Sequence, residues 1–343
     1  MQKKLMLTGY GTVAKEFIKL MSDHQDRLKT TYGVHFLITG IAGSRGMIFE
    51  ETGIDLHTLL TCGTGSNALS VYAEKMNIPF QDITFNHADT LIECAPTNIE
   101  TGEPGLSYIY QAIDMGMDIV SVSKGALVHS FQDINHKANE KGIRIKYSGA
   151  TAAALPTLDI GEYSLAGCTI TRVEGILNGT SNFILTSMAE NSITFDEALK
   201  LAQQKGIAES NPKLDVSGMD SASKILLLAN GLLNANASIH DVQITGIEQV
   251  TKQQMIEAKN NNRTPKLIAR AEIIDDNVRL SVEPLMINKD HPLAHVNGTN
   301  KGIVFDTIEM GSVCTTGGAS HPRGAAAAAL KDLINLYRMD GSY

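Results

Sequence analysis

The sequence predicts an α/β chain whose first domain is built on a parallel sheet and whose second is of mixed α and β character. Three observations carry this. A mostly apolar run, residues 3–8, leads straight into Gly9-Tyr10-Gly11 and then a helical pattern. Apolar runs and helical patterns alternate to about residue 130, which calls for parallel strands with right-handed crossovers. Beyond that point strand patterns follow one another through short turns. At roughly 150 residues per domain, the 343 residues suggest about two domains.

In chain order, Val13, Phe17, Ile18 and Met21 share one face of the first helix. Val34–Ala42 reads as the second strand. Leu91–Cys94 and Ile119–Val122 read as further strands, with a helix over Tyr108–Met115 between them. In the middle of the chain, Cys168–Leu177 and Ile184–Met188 are rich in apolar and β-branched residues. Phe195–Gln204 and Ser221–Leu233 read as helices. Val242–Ile247, Leu267–Ile274 and Val278–Val282 read as strands, the last two joined by the turn Asp275-Asp276-Asn277. Ala325–Leu336 is a final helix, with Ser320 as its cap and Pro322 in its first turn. Its small residues Ala325–Ala329 permit close approach, so it is expected to return to the first sheet. The predicted domains are residues 1–130, completed by 302–343, and residues 131–301.

Composition removes several classes of function. With 29 Lys and Arg against 37 Asp and Glu, the net charge is −8, which argues against a nucleic-acid or anionic-membrane surface. The apolar stretch Ile225–Leu233 is interrupted by Asn230 and Gly231 and is far short of a membrane span. The start of the chain turns into Thr8-Gly9 before a signal sequence could form. Four scattered cysteines with no CxxC make neither a disulfide framework nor a zinc site, so a cytoplasmic setting is expected.

The turn Gly9-x-Gly11-x-x-Ala14 has the pattern of a dinucleotide-binding fingerprint. Gly9 allows the tight turn, Gly11 lets the backbone approach a pyrophosphate, and Ala14 lets helix pack on strand. The phosphates would then meet the N–H groups that open the helix, at Thr12 and Val13. The plain alternative is a strand–turn–helix with glycines for geometry alone. At the end of the second strand, where a carboxylate would hold a ribose hydroxyl, the sequence reads Ile41-Ala42-Gly43-Ser44-Arg45. Arg45 can hold a 2′-phosphate bidentately, which favours NADP(H) while leaving NAD(H) compatible. Its alternative is a solvated loop cation.

The segment 202–224 is the richest in chemistry. A helix ends at Gly206, and a loop carries Glu209, Asp215 and Asp220. The next helix puts Lys224 one turn beyond Asp220, just before Ile225-Leu226-Leu227-Leu228. Lys224 is therefore expected at the edge of a buried surface, where desolvation suits proton transfer. Acids converging on one lysine could also hold a substrate ammonium group. The alternative is an Asp220–Lys224 helix salt bridge beside a solvated acidic loop.

This segment matches A-x3-G-[aliphatic]-A-x2-N-P-x2-D-V-x-G-x-D-x3-K, and so resembles the signature of homoserine dehydrogenases. Three further stretches resemble the same family: Glu93–Asn98 with Thr101–Pro104, Val120–Leu127, and Gly175–Leu185. The likeness runs from residue 1 to about 337.

The resemblance implies a Rossmann NAD(P)-binding domain with a mixed α/β catalytic and dimerisation domain, and a homodimer. It implies reversible reduction of L-aspartate 4-semialdehyde to L-homoserine, in threonine and methionine biosynthesis. Lys124 becomes the general acid–base. Lys224, oriented by Asp220, becomes the substrate binder and proton-network partner. Glu209, Asp215, Gly179 and Thr180 would surround the substrate. Ser44, Ala95, Pro96, Lys124 and Gly318 would join the glycine turn around the cofactor. The two amines and the acids are expected to meet at the nicotinamide. No regulatory ACT-like module is expected.

Four departures stand out. The family's T-A-N-K reads Ser121-Val122-Ser123-Lys124, and Ile207 stands where some members have Tyr. Ser148 replaces a Glu that helps hold a monovalent cation in some members, which argues against a sodium site; no metal is expected. Arg323 sits unexpectedly near a helix start, beside the cofactor or nothing. These leave room for a related dehydrogenase of another small oxo or hydroxy amino acid, or for an NADP-binding paralogue of weak activity. Cys94 lacks an adjacent His and reads as a small buried residue, while His87, His129 and His321 are minor acid–base candidates.

Overall fold

The structure is a computed structural model that describes residues 1–85, 88–318 and 321–338. The chain divides into two compact units, Met1–Ala153 with the segment from His321, and Ala154–Ser320.

In the first unit, β1 (Gln2–Thr8) is followed by α1 (Thr12–Asp23), α2 (Gln25–Tyr32), β2 (His35–Gly43) and β3 (Gly46–Phe49). Then come α3 (Leu56–Thr61), α4 (Gly65–Met76), β4 (Thr90–Glu93), α5 (Gly105–Asp114), β5 (Asp118–Ser121), α6 (Gly125–Lys141) and β6 (Ile145–Lys146). The strands form one sheet in the order β3-β2-β1-β4-β5-β6, parallel except for β3. This is the Rossmann arrangement. The order reverses between β1 and β4, so their carboxyl ends flank the point where such sheets bind ligands.

The core explains why α1 forms where it does. Ala14, Phe17, Ile18, Leu20 and Met21 are buried on one helical face, against Leu5, Leu7, Ile38 and Ile41 of the sheet. The C-terminal helix, Pro322–Tyr337, joins the same core through Ala326, Ala329, Leu333 and Leu336. Tyr337 anchors its end, with its hydroxyl 2.6 Å from Thr90 Oγ1 and donating to Asp118 Oδ2 at 2.8 Å. The helix is capped by His321, whose ring accepts from the Arg323 N–H, whereas the expected cap Ser320 lies outside the described residues.

The second unit begins with the short turn α7 (Thr157–Asp159), then β7 (Ile170–Ile176), α8 (Gly179–Asn191), α9 (Phe195–Gln204), α10 (Lys213–Val216) and α11 (Met219–Leu232). It continues with β8 (Val242–Ile244), α12 (Lys252–Asn260), β9 (Arg263–Ile274), β10 (Asn277–Asn288), β11 (Lys301–Thr307) and β12 (Gly311–Gly317). Its sheet runs β12-β11-β7-β9-β10-β8, antiparallel except where β10 meets β8. The β9–β10 hairpin turns through Asp275 and Asp276, both at positive φ, as a two-residue turn of this hand requires. Ile184–Met188, despite its β-branched content, lies inside α8, where burial outweighs strand propensity.

The domain limits differ from those expected. Residues 131–153 stay with the first unit, because α6 continues to Lys141 and β6 pairs with β5. Residues 302–317 leave it, because β11 pairs with β7 and β12. Only the stretch from His321 returns to the first sheet.

Candidate active site

In the first unit, the glycine turn is shaped by what it leaves out. Gly9 has φ +83°, and a Cβ there would lie 2.4 Å from the Cys94 carbonyl oxygen. The turn therefore admits only glycine. Gly11 is the N-cap of α1, with no side-chain cap, and nothing lies within 4 Å of where its Cβ would be. The first N–H groups of the helix, at Thr12 and Val13, thus have no side-chain cap at Gly11, and Ala14 is fully buried against the sheet. These residues fit the phosphates of a dinucleotide.

The loop after β2 is ordered by α4. The Ser44 N–H donates to Ser66 Oγ at 2.8 Å, and the Arg45 guanidinium donates to Asn67 Oδ1. Arg45 is exposed and pointed by a neutral partner, so its charge is not spent on an acid there. Ser66 and Asn67 lie more than twenty positions along the chain and carry no motif.

Glu93, at the end of β4, ties two loops together. Its carboxylate is fully buried and accepts from the Ala95 N–H (2.8 Å), Ser121 Oγ (2.9 Å) and Ser123 Oγ (2.7 Å). Burial pushes its pKa up, and the three donors oppose that shift. The loop bearing Ala95 and Pro96 is thereby fixed to the loop bearing Lys124. Ser121 and Ser123, which depart from the family pattern, are the donors that Glu93 uses. Beyond Lys124, Gly125 lies so close to Asn98 that a Cβ would be 2.6 Å from its carbonyl oxygen. Lys124 is the N-cap residue of α6, half-buried and held from both sides. The Cys94 thiol is pushed well up by burial and by Glu93, which disfavours a thiolate.

Two further departures have structural partners. Ser148 gives its N–H and hydroxyl to Asp332, each at 2.8 Å, and its hydroxyl receives Lys331 Nζ at 2.9 Å. Arg323 pairs with Glu16 (3.2 Å) and Asp23 (3.8 Å) of α1. His129 is next to the Ser130 hydroxyl, and His87 lies outside the described residues.

In the second unit, the predicted acids and lysine form a cluster around a residue that was not predicted, Asn178. Its Oδ1 caps α8 by accepting the Ser181 N–H at 2.8 Å. Its amide nitrogen donates to Asp215 Oδ1 and Asp220 Oδ2, both at 2.7 Å. Lys224 Nζ donates to Asp220 Oδ2 at 2.5 Å and to the Leu177 carbonyl at 2.9 Å. Lys224 and Asp220 are each 13% exposed, so this is no solvated surface pair. Asp215 is pushed up chiefly by burial and also by Asp220, against the pull of Asn178, Lys224 and Thr180. Thr180 also donates to the Ile207 carbonyl at 3.2 Å, and Gly179 is the buried first residue of α8.

A second amine was also not anticipated. Lys301 opens β11, is 3% exposed, and lies one position beyond the Gly302–Ile176 pair, hence opposite Leu177. Burial and, to a smaller degree, the neighbouring Lys224 lower it to about 8, against the pull of Asp220. Two carboxylates, two amines and a bridging amide thus share one half-buried region. Such an array can hold both ends of a zwitterion and relay a proton. Glu209 stays exposed on the loop, its backbone carbonyl accepting from Gln203. Gly318 falls in this unit, pressed against Leu155, whose backbone nitrogen a Cβ would approach to 2.8 Å.

Comparison with known proteins points to one family. Residues 156–334 match the family described as Homoserine dehydrogenase, and residues 9–148 match that described as Homoserine dehydrogenase, NAD binding domain. A homoserine dehydrogenase of Methanocaldococcus jannaschii is 32% identical over 97% of this chain and 98% of its own length. An NAD(+)-dependent homoserine dehydrogenase of Pseudomonas canavaninivorans is 30% identical over 98% of this chain and 96% of its own. A solved structure from Archaeoglobus fulgidus, provisionally assigned as a homoserine dehydrogenase, superposes with a TM-score of 0.85. It is 29% identical, over 98% of this chain and 100% of that one.

Proposed function

The chain belongs to the homoserine dehydrogenase family, and on that premise we propose how its residues divide the work. The enzyme interconverts L-homoserine and L-aspartate 4-semialdehyde, an oxidoreduction at a CH–OH carbon in amino-acid biosynthesis. In the reducing direction the carbonyl carbon gains a hydride and its oxygen a proton. The nicotinamide dinucleotide supplies the hydride when bound; the protein supplies orientation, charge and the proton.

The first unit would hold the dinucleotide through Gly9, Gly11 and the N–H groups of Thr12 and Val13, with Ala95 and Pro96 along it. Ser44 and Arg45 would take a 2′-phosphate, so NADP(H) is the preferred cofactor and NAD(H) the poorer one. The absence of a carboxylate after β2 and the neutral partner of Arg45 support this. Gly318 would contribute backbone alone.

Lys124 is assigned to proton transfer at the reacting oxygen, because Glu93 and Asn98 hold its loop from both sides. Lys224 binds the substrate and is oriented by Asp220. Asp215 and Glu209 take the amino end, with Gly179 and Thr180 beside it. The observation that carries the assignment is the Asn178–Asp215–Asp220–Lys224 network. Following NADPH absorbance with L-aspartate 4-semialdehyde tests it: turnover should need this aldehyde, and propanal or acetaldehyde should give less than a hundredth of the rate. We also infer a cytoplasmic homodimer, supported by the scattered cysteines and the family. Light scattering at micromolar concentration should give twice the 36.9 kDa chain mass.

A further inference from the structure

The second unit holds a cavity that the reaction does not use. Its volume is about 320 Å³, and Lys259, Arg263, Lys266, Lys289 and His295 line it, with Glu190 the one carboxylate. Four cations against one acid is unexpected in a chain of net charge −8.

One of the four cations is committed to the wall and three are not. Lys266 forms the buried wall, 1% exposed, and donates to Asn182 Oδ1 (3.2 Å), Asn297 Oδ1 (2.9 Å) and the Val296 carbonyl. Its three N–H bonds are thereby used, and Glu190 is the charge that stabilises it. Lys259, Arg263 and Lys289 are exposed at the rim. Among the described residues, their side chains make no hydrogen bond or ion pair. Three like charges facing one concavity repel each other unless an anion sits between them.

The cavity is distinct from the acid–amine cluster. The cluster gathers at the first residues of α8, while the cavity is lined by Thr186, Ala189 and Glu190 near its other end. Thr180, beside the cluster, and Thr186, the first lining residue of the cavity, are six helix positions and about 9 Å apart, with Asn182 between them bonded to Lys266. The charge is also of the wrong kind for the substrate, a zwitterionic amino acid.

We propose that this cavity is a binding site for a small organic dianion, a dicarboxylate or a phosphate monoester. The volume lies at the lower end for metabolite pockets. The Arg263 fork can take a carboxylate or phosphate bidentately, and the two lysines can neutralise a second charge. Met255, Pro265 and Ala294 give the wall an apolar portion that suits a short carbon skeleton.

Calorimetric titration tests this with the enzyme saturated in NADPH, so that the dinucleotide's own phosphate sites are filled. The probes are succinate and glycerol 3-phosphate at low ionic strength, with acetate and glycerol as charge-poor controls. At least one dianion should bind saturably, one per chain, and at least tenfold more tightly than its control. The triple variant Lys259→Ala, Arg263→Ala, Lys289→Ala should weaken that binding at least tenfold and leave turnover without dianion unchanged. If the triple variant does not fold, Arg263→Gln alone should weaken it at least threefold. The better probe identifies the source as carboxylate or phosphate. Absence of saturable binding, or binding unaltered by these substitutions, overturns the proposal.

Discussion

The two units build their sites by opposite means. The first works by leaving atoms out: a Cβ at Gly9 would meet the Cys94 carbonyl, and Gly11 opens the helix without a side-chain cap. Beside the glycine turn, the buried carboxylate of Glu93 is a fastener between loops. The second works by putting charge in, with Asp215, Asp220 and Lys224 half-buried, Lys301 buried, and Asn178 between the acids. A backbone site tolerates changes in neighbouring side chains, provided the turn survives. A charge cluster does not, because each member sets the cost of burying the others.

The largest effect should come from the amine that the first unit holds. Lys124→Ala should lower kcat about 10²–10⁴-fold, the usual worth of a positioned acid–base group. The NADPH dissociation constant, read by fluorescence, should move less than threefold. Full activity in that variant would remove Lys124 from the chemistry. In the second unit, Asn178→Ser should raise KM for the aldehyde at least tenfold. Serine still caps α8, so the melting temperature should hold within a few degrees, but its short hydroxyl cannot bridge two carboxylates. An unchanged KM would mean that Asp215 and Asp220 act without their bridge.

Arg45→Ala sharpens the contrast from the first unit's side. Losing one exposed guanidinium should weaken NADPH about tenfold and leave NADH within twofold, a ratio that direct titration measures. Equal weakening of both would make Arg45 a general loop anchor. An unchanged NADPH constant would leave it a solvated cation.

The same contrast explains how far the sequence could be read. Gly9-x-Gly11-x-x-Ala14 is legible because the turn is contiguous and each small residue has a local steric reason. Asp215, Asp220 and Lys224 are legible for the same reason, as they share one segment and one helix start. Asn178, Lys301 and Glu93 are not, because they matter through partners far along the chain: Asn178 through residues 37 and 42 positions away, Glu93 through serines 28 and 30 away. Ser121 and Ser123 look like departures until Glu93 is seen between them. The domain limits failed similarly. Strand β11 follows β10 in sequence but pairs back to β7, about 130 residues earlier, which no local pattern announces, and β12 then pairs with β11. Glu209 belongs to the same signature and is exposed on its loop.

A contrast of a different kind concerns the two buried lysines of the second unit, one in the acid–amine cluster and one under the cavity. Burial lowers both Lys301 and Lys266 from 10.5 to about 8. Between those values the unfolded chain still carries the proton that the folded chain has released. The unfolded state then binds more protons, so stability rises with pH from about 8 toward 10.5 and is lowest, for these groups, below 8. Each lysine contributes on the order of 1 kcal/mol per pH unit across that window. Urea unfolding at pH 7.5, 8.5 and 9.5 should therefore show a climbing free energy for the native chain. With Lys301→Met the climb should halve, and with Lys266→Met added it should vanish. A native curve that stays level over this range would mean that neither amine is held against its charge. The second unit would then resemble the first, a site organised by backbone, with its ions as ornament to the fold.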